Sequence, residues 1–175
     1  MNVDLRDAGP DQGLWQIPFE KGEAEQLNSI PSSRNVPIRL EYSADGRYLM
    51  TFEMEPRQSG MTVRIATTVT GELIDIDPQF PVMTEDMTAP YIMGAGWSPV
   101  GSGLVYAVRD PLDDSKSGLY LTAAPGKPGK MILQGRFYGT TCCQRMPIQW
   151  AVNDLIMIGR GGESGVLLVQ VGMPG

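Results

Sequence analysis

The side chains of this 175-residue chain that could do chemistry are carboxylates, amines, guanidinium groups and one pair of thiols, because it contains no histidine. Without imidazole there is no Ser-His-Asp or Cys-His arrangement and no His-ligated zinc. The commonest general base at neutral pH is missing too. Most hydrolytic mechanisms are thereby excluded from the chain acting alone, which leaves carboxylate or lysine chemistry. The two cysteines, Cys142 and Cys143, are neighbours. A trans peptide holds their Cα atoms about 3.8 Å apart, short of the normal disulfide range. Two free thiols at the start of a strand are the expectation, with a redox pair or an intermolecular bridge as the alternatives.

Three charges recur in a way that suggests a site. When apolar segments are aligned from Tyr48, Leu104 and Leu155, the residues Glu53, Arg109 and Arg160 fall at one position, where each segment gives way to a loop. Gathered at one mouth of the fold, they would face a ligand or partner, and the arginine forks suit carboxylate or phosphate. The plainer account is that charges mark strand exits to water. Asp110, Asp113, Asp114, Ser115 and Ser117 make an oxygen-rich stretch, but its spacing does not fit an EF-hand and it reads as a solvated loop. Asp75, Asp77, Glu85 and Asp86 show no spacing that argues for acid–base work. No catalytic residue, metal or cofactor is expected.

The elements that would position these groups repeat. Aromatic anchors stand at Tyr42, Trp97 and Trp150, 55 and 53 residues apart, and each precedes a turn and a second apolar run. A fixed period of this length is the mark of a repeat architecture. Apolar residues make up 42% and charged ones 19%, as in a globular protein, and 21 glycines with 14 prolines indicate many turns. Strands are expected at 38–42, 47–52, 62–69 and 72–76, then at 92–97, 104–108, 118–122 and 130–133, then at 148–150, 155–158 and 165–171. Segments 13–17 and 24–27 match the last two strands of a further unit. The runs Leu104-Val105-Tyr106-Ala107-Val108 and Leu155-Ile156-Met157-Ile158 are apolar without alternation, so their strands must be covered on both faces. In small antiparallel sheets that happens when sheets stack around a common axis.

Ser43-Ala44-Asp45-Gly46-Arg47-Tyr48-Leu49 resembles the S-P-D-G-[KR]-x-[LI] signature of TolB-type, WD40-like propeller repeats. Trp97-Ser98-Pro99 keeps the W-S-P opening with Val100-Gly101-Ser102-Gly103 in place of D-G, and Trp150-Ala151-Val152-Asn153-Asp154 keeps only the aromatic. The resemblance spans about residues 13 to 171 and implies blades around a central channel, with no catalytic residue to carry over. It also implies an extracytoplasmic setting, since exported repeats of this kind are common in that family. One repeat domain over 1–175 is expected, with a half blade at 13–27, blades at 36–77 and 92–133, and an incomplete blade at 146–171. Three units and a half fall short of a closed ring. That points to a fragment of a longer protein, a half-propeller completed by another subunit, or a compact arrangement of another kind.

The net charge of −6 and the lack of a basic run disfavour nucleic acid and anionic membrane surfaces. No run of 18 apolar residues exists, so no membrane-spanning helix is expected. The first residues lack the apolar core of a signal peptide. The functional expectation is a non-enzymatic protein-binding or scaffold module that engages a protein partner or a copy of itself. The alternatives are an accessory propeller segment of a larger peptidase and a small-molecule or glycan binder acting at the channel mouth.

Overall fold

The computed structural model describes residues 14–16, 25–28, 36–54, 61–82, 88–138, 148–151, 154–160 and 166–171. Cys142 and Cys143 lie outside them. The described chain is all-β: strands β1 (Leu14–Gln16) and β2 (Glu25–Asn28) pair with each other, and three larger antiparallel sheets follow. The first contains β3 (Val36–Tyr42), β4 (Tyr48–Met54), β5 (Met61–Thr67) and β6 (Leu73–Ile74), side by side in chain order. The second repeats that order with β7 (Tyr91–Trp97), β8 (Leu104–Arg109), β9 (Gly118–Thr122) and β10 (Lys130–Gln134). The only helical turn among the described residues is a short 3-10 turn at Asp114–Lys116.

The third sheet is built differently. Its first strand is split into β11 (Phe137–Tyr138) and β12 (Gln149–Ala151), both on the same side of β13 (Leu155–Arg160). Phe137 and Tyr138 pair with Arg160 and Gly159, and Gln149 to Ala151 pair with Met157 to Leu155. The strand β14 (Val166–Gln170) lies on the other side of β13. The sheet therefore reaches back to residue 137, ahead of the 146–171 span read from the repeat.

The doubly apolar strand of the second sheet is covered on both faces, as its composition demands. Leu104, Tyr106 and Val108 of β8 pack with Met50, Phe52 and Ile65 of the first sheet. Val105 and Ala107, on the opposite face, pack with Ile156 and Ile158 of the third. All five β8 residues are buried to within 1% of complete. Alternation along a strand sends successive side chains to opposite faces, so one strand serves two cores.

A buried polar cluster ties the first two sheets together. Asp77, just past β6, is 1% exposed and accepts hydrogen bonds from the Tyr106 hydroxyl, from the Gly129 amide at 2.9 Å and from the Gln79 amide at 2.7 Å. Tyr106 stacks on Tyr120 at 5.7 Å between centroids, and Tyr120 donates to the carbonyl of Lys116. Gly129 can only be glycine here: a methyl group would overlap the Tyr106 hydroxyl and stand 2.8 Å from its ring carbon.

The turns clasp at one end. Gly46 supplies the positive φ of 72° that the Asp-Gly turn needs. Asp45 accepts from the Ser43 hydroxyl at 2.7 Å and from Arg47 Nε at 2.6 Å, while Arg47 also donates to the Ser102 hydroxyl of the neighbouring turn at 2.9 Å. The Asp45 amide donates to the Gly101 carbonyl at 3.2 Å. The Ser43 hydroxyl, followed by Arg47, holds the Asp45 carboxyl down to about 2 from the ordinary 3.8. A depressed carboxyl stabilises the folded state above its unfolded pKa, and that contribution disappears as pH falls through the folded one. Asp45→Asn should therefore flatten the loss of stability between the ordinary 3.8 and about 2, read from urea midpoints across an acid series. An unchanged slope would assign that loss to other carboxyls.

Candidate functional site

The first strands of the three sheets converge. The Trp97 indole Nε1 donates to the Glu41 carbonyl at 3.0 Å, joining β7 to β3. Its ring stacks on Tyr48 at 6.3 Å and 22°, and the Arg47 guanidinium lies 5.8 Å from the Tyr48 ring centre. On the other side, β7 meets the start of β12. A methyl at Gly96 would overlap the Ile148 carbonyl oxygen and lie 3.1 Å from its carbon, so only glycine permits the approach. Trp97→Phe removes the donor and leaves the Glu41 carbonyl short of a partner. A loss of about 2 kcal/mol is expected in urea unfolding.

At this meeting point lies a pocket of about 430 Å³, walled by Arg39 and Glu41 of β3, Trp97 of β7, Trp150 of β12, Met157 of β13 and Leu168 of β14. Its volume is in the range of small-ligand clefts. Arg39 pairs with Glu41 and lies 5.6 Å from the Phe52 ring centre, so the two rim charges neutralise each other. The Trp150 Nε1 is buried and has no hydrogen-bond partner among the described residues. Among those residues no cluster of His, Cys, Asp or Glu is arranged to hold a metal.

The sheet registers do not place Glu53, Arg109 and Arg160 at one position. Each aromatic anchor faces a defined residue of the second strand: Tyr42 faces Leu49, Trp97 faces Leu104 and Trp150 faces Ile156. Counted from those partners, Arg109 is the fifth residue on, while Glu53 and Arg160 are each the fourth. A single step along a strand exchanges the faces of a sheet, so the alignment that grouped the three charges is off by one. Arg109 is not among the residues that line the pocket, and the side chains of Glu53 and Arg160 lie outside the described ones. Arg109 instead adds its field to the acidic loop of its own sheet. There Arg136, donating at 2.9 and 2.7 Å, holds the Asp114 carboxyl below the usual range, and the charge of Arg109 lowers it further. The loop carboxylates are engaged: Asp110 accepts from the amides of Leu112 and Asp113, and Asp113 from that of Ser115.

The anchors also differ among themselves. Trp97 is 8% exposed and Trp150 is half-buried against the core shared by the second and third sheets, whereas Tyr42 is 59% exposed. The register that turns Trp97 onto the preceding sheet turns Tyr42 onto the side of the first sheet away from the second.

The corrected register reveals residues that the repeat alone did not single out. Met50, Val105 and Met157 each follow the anchor's partner by one residue, and Met50 packs toward the second sheet and Val105 toward the third. Met50 and Val105 are fully buried at 0% exposure, while Met157 is half-buried and Leu168 on the neighbouring strand is 62% exposed. Counting from the aromatic partner, instead of from the first apolar residue after the turn, is the signal that would have found Met157. Arg39 and Glu41 were legible as the polar half of the alternation Arg39-Leu40-Glu41-Tyr42. Compared with protein-family models, curated proteins and solved structures, the chain has no match in any of the three.

Proposed function

We propose that this chain is a non-enzymatic protein-binding scaffold module whose three sheets are propeller blades of the TolB-type, WD40-like kind, completed by another chain or segment. The observation that carries this reading is the face of the third sheet bearing Met157 and Leu168. It has the register of faces that are buried in the first two sheets, yet it is left partly open. Exposed apolar surface of this sort marks a contact for a partner. The chain-order strands of the first two sheets, the meeting of the three first strands and the two-sided cover of β8 support the blade assignment. In this reading the chain recognises and holds; it supplies no reacting group.

A photo-crosslinking residue at Leu168 tests it. A covalent adduct with a polypeptide is expected, whether a copy of the chain or another protein from the cell. Illumination that yields no polypeptide adduct would falsify the binding role of this face. The pocket at the meeting of the first strands favours a second reading, a small molecule or glycan held there. Stabilisation of the chain by a glycan or by a small apolar ligand in a thermal-shift series, abolished in Trp150→Ala, would be its signature.

A further inference from the structure

We infer that the outer edge of β14, at Leu168, takes up an extended segment of a partner protein as a fourth, antiparallel strand of the third sheet. The inference rests on the binding role proposed above for this sheet and names how the partner is held. Three residues occupy one register position in the three sheets: Ile65 faces Met50, Leu121 faces Val105 and Leu168 faces Met157. In the first sheet Ile65 also faces Ile74 of β6, and in the second Leu121 also faces Lys130 of β10. No described strand stands on that side of Leu168. Exposure follows the same order. Ile65 is 1% exposed and Leu121 is half-buried, whereas Leu168 is 62% exposed.

The main chain of Leu168 is turned outward. The Val171 amide donates to the Asp154 carbonyl at 2.8 Å. Bonded and non-bonded pairs alternate along an antiparallel ladder, so Val169 and Leu167 carry the bonds to β13, and Leu168 directs its amide and carbonyl away from it. The same count from Thr67, whose amide donates to the Glu72 carbonyl at 2.9 Å, turns the main chain of Ile65 toward β6. Leu168 therefore presents outward the pair of groups with which Ile65 holds a fourth strand.

This edge is also built unlike the other outer strands of the three large sheets. β3 carries Pro37, Arg39 and Glu41 and a shift in register, and β10 begins with Lys130 and has a shift of its own. β7 is buried throughout, and β6, β11 and β12 are two or three residues long. Charge, proline, bulges and brevity are what keep an edge from recruiting a further strand. β14, Val166-Leu167-Leu168-Val169-Gln170, has none of these, and its register is unbroken. Main-chain donors and acceptors in a row are matched by another extended chain, so the occupant is a polypeptide held by strand addition. β10 shows its character, with half-buried Met131, Ile132 and Leu133 between exposed Lys130 and Gln134. The chain's net charge of −6 favours an uncharged or basic segment of that kind.

The test uses the 175-residue chain and a fluorescent peptide with the sequence of residues 129–135, read by anisotropy and by hydrogen exchange. Binding that slows exchange of the Leu168 amide is expected. Leu168→Pro removes the outward donor, and an edge strand tolerates proline where the N–H faces out. Circular dichroism confirms its fold. It should weaken binding about tenfold, whereas Leu168→Ala, which keeps the amide, should stay within about threefold. The same peptide with Ile132→Pro should lose binding to the wild-type chain, a comparison that does not depend on how a variant folds. Equal losses in the two Leu168 variants would show that side chains hold the peptide, which overturns strand addition and leaves the binding role of the face standing. A chain that binds no peptide, or binds it without protecting the Leu168 amide, overturns the inference too, as does a Leu168 crosslink formed only between copies of the chain. With no peptide bound, a Leu168 crosslink to another protein keeps the binding role, and no adduct at all removes both.

Discussion

Gly96→Val is expected to lower stability by about 3 kcal/mol and to part the second sheet from the third. The methyl of even an alanine would overlap the Ile148 carbonyl oxygen, and the obstacle is backbone, which has no rotamer to yield. Relief requires β12 to move away from β7. That would open the core in which Val105 and Ala107 meet Ile156 and Ile158, all four of them at 0% exposure. Hydrogen exchange separates this outcome from general loosening. Amides of β12 and β13 should lose protection while those of β4 and β5, in the other core, keep theirs. Equal loss in both places would show that the approach of β7 to β12 is not what the glycine secures.

The second large effect is expected at Asp77. Asp77→Ala leaves the hydroxyl of Tyr106, itself 0% exposed, without its acceptor, along with the amides of Gly129 and Gln79. A buried donor without a partner costs about 1–3 kcal/mol, which applies in full to the Tyr106 hydroxyl and only in part to the two part-buried amides, so a total of about 3 kcal/mol is expected. Tyr106→Phe removes one donor and keeps the other two satisfied, so about 1–2 kcal/mol is expected. The double variant should cost less than the sum, because the hydroxyl orphaned by the first change is gone. Strict additivity in urea unfolding would mean that the pair does not interact. Burial, and after it the Asp77 carboxylate, pushes the Tyr106 phenol above its ordinary range. Its contribution is full below the ordinary phenol pKa of about 10 and is lost as pH rises beyond it. Tyr106→Phe should lack this alkaline decline.

Local chemistry made most of the strands legible. Asp45-Gly46 announces a hairpin, and the strand expected at 118–122 is the strand observed. Other boundaries moved by a residue or two, as in β5, which ends at Thr67 because Thr68 turns to bond the Gly46 carbonyl. Pairing was less legible. β11 is two residues long, too short for any periodicity to mark it. The position of Arg109 relative to Glu53 and Arg160 depended on the pairing too. Tyr48 and Leu155 each stand one residue before the partner of their anchor, whereas Leu104 is itself the partner of Trp97, a difference that only the register shows. The Asp77–Tyr106 contact spans 29 residues between unlike elements, and nothing in either segment announces the other. The pocket likewise draws on all three sheets and has no signature in any one of them.

Within the first two sheets every strand pairs with its immediate successor. This ordering bears on how the chain reaches its native state. Each hairpin closes a short loop, so little entropy is spent before a pairing is rewarded, and an all-β chain wired this way should fold faster than one built from distant strands. A nascent chain could complete its first sheet before the second is synthesised, then use that surface as the template for the next. The exception is β13, which pairs with three strands, β11, β12 and β14. The slowest kinetic phase, in a stopped-flow refolding trace, should belong to that sheet.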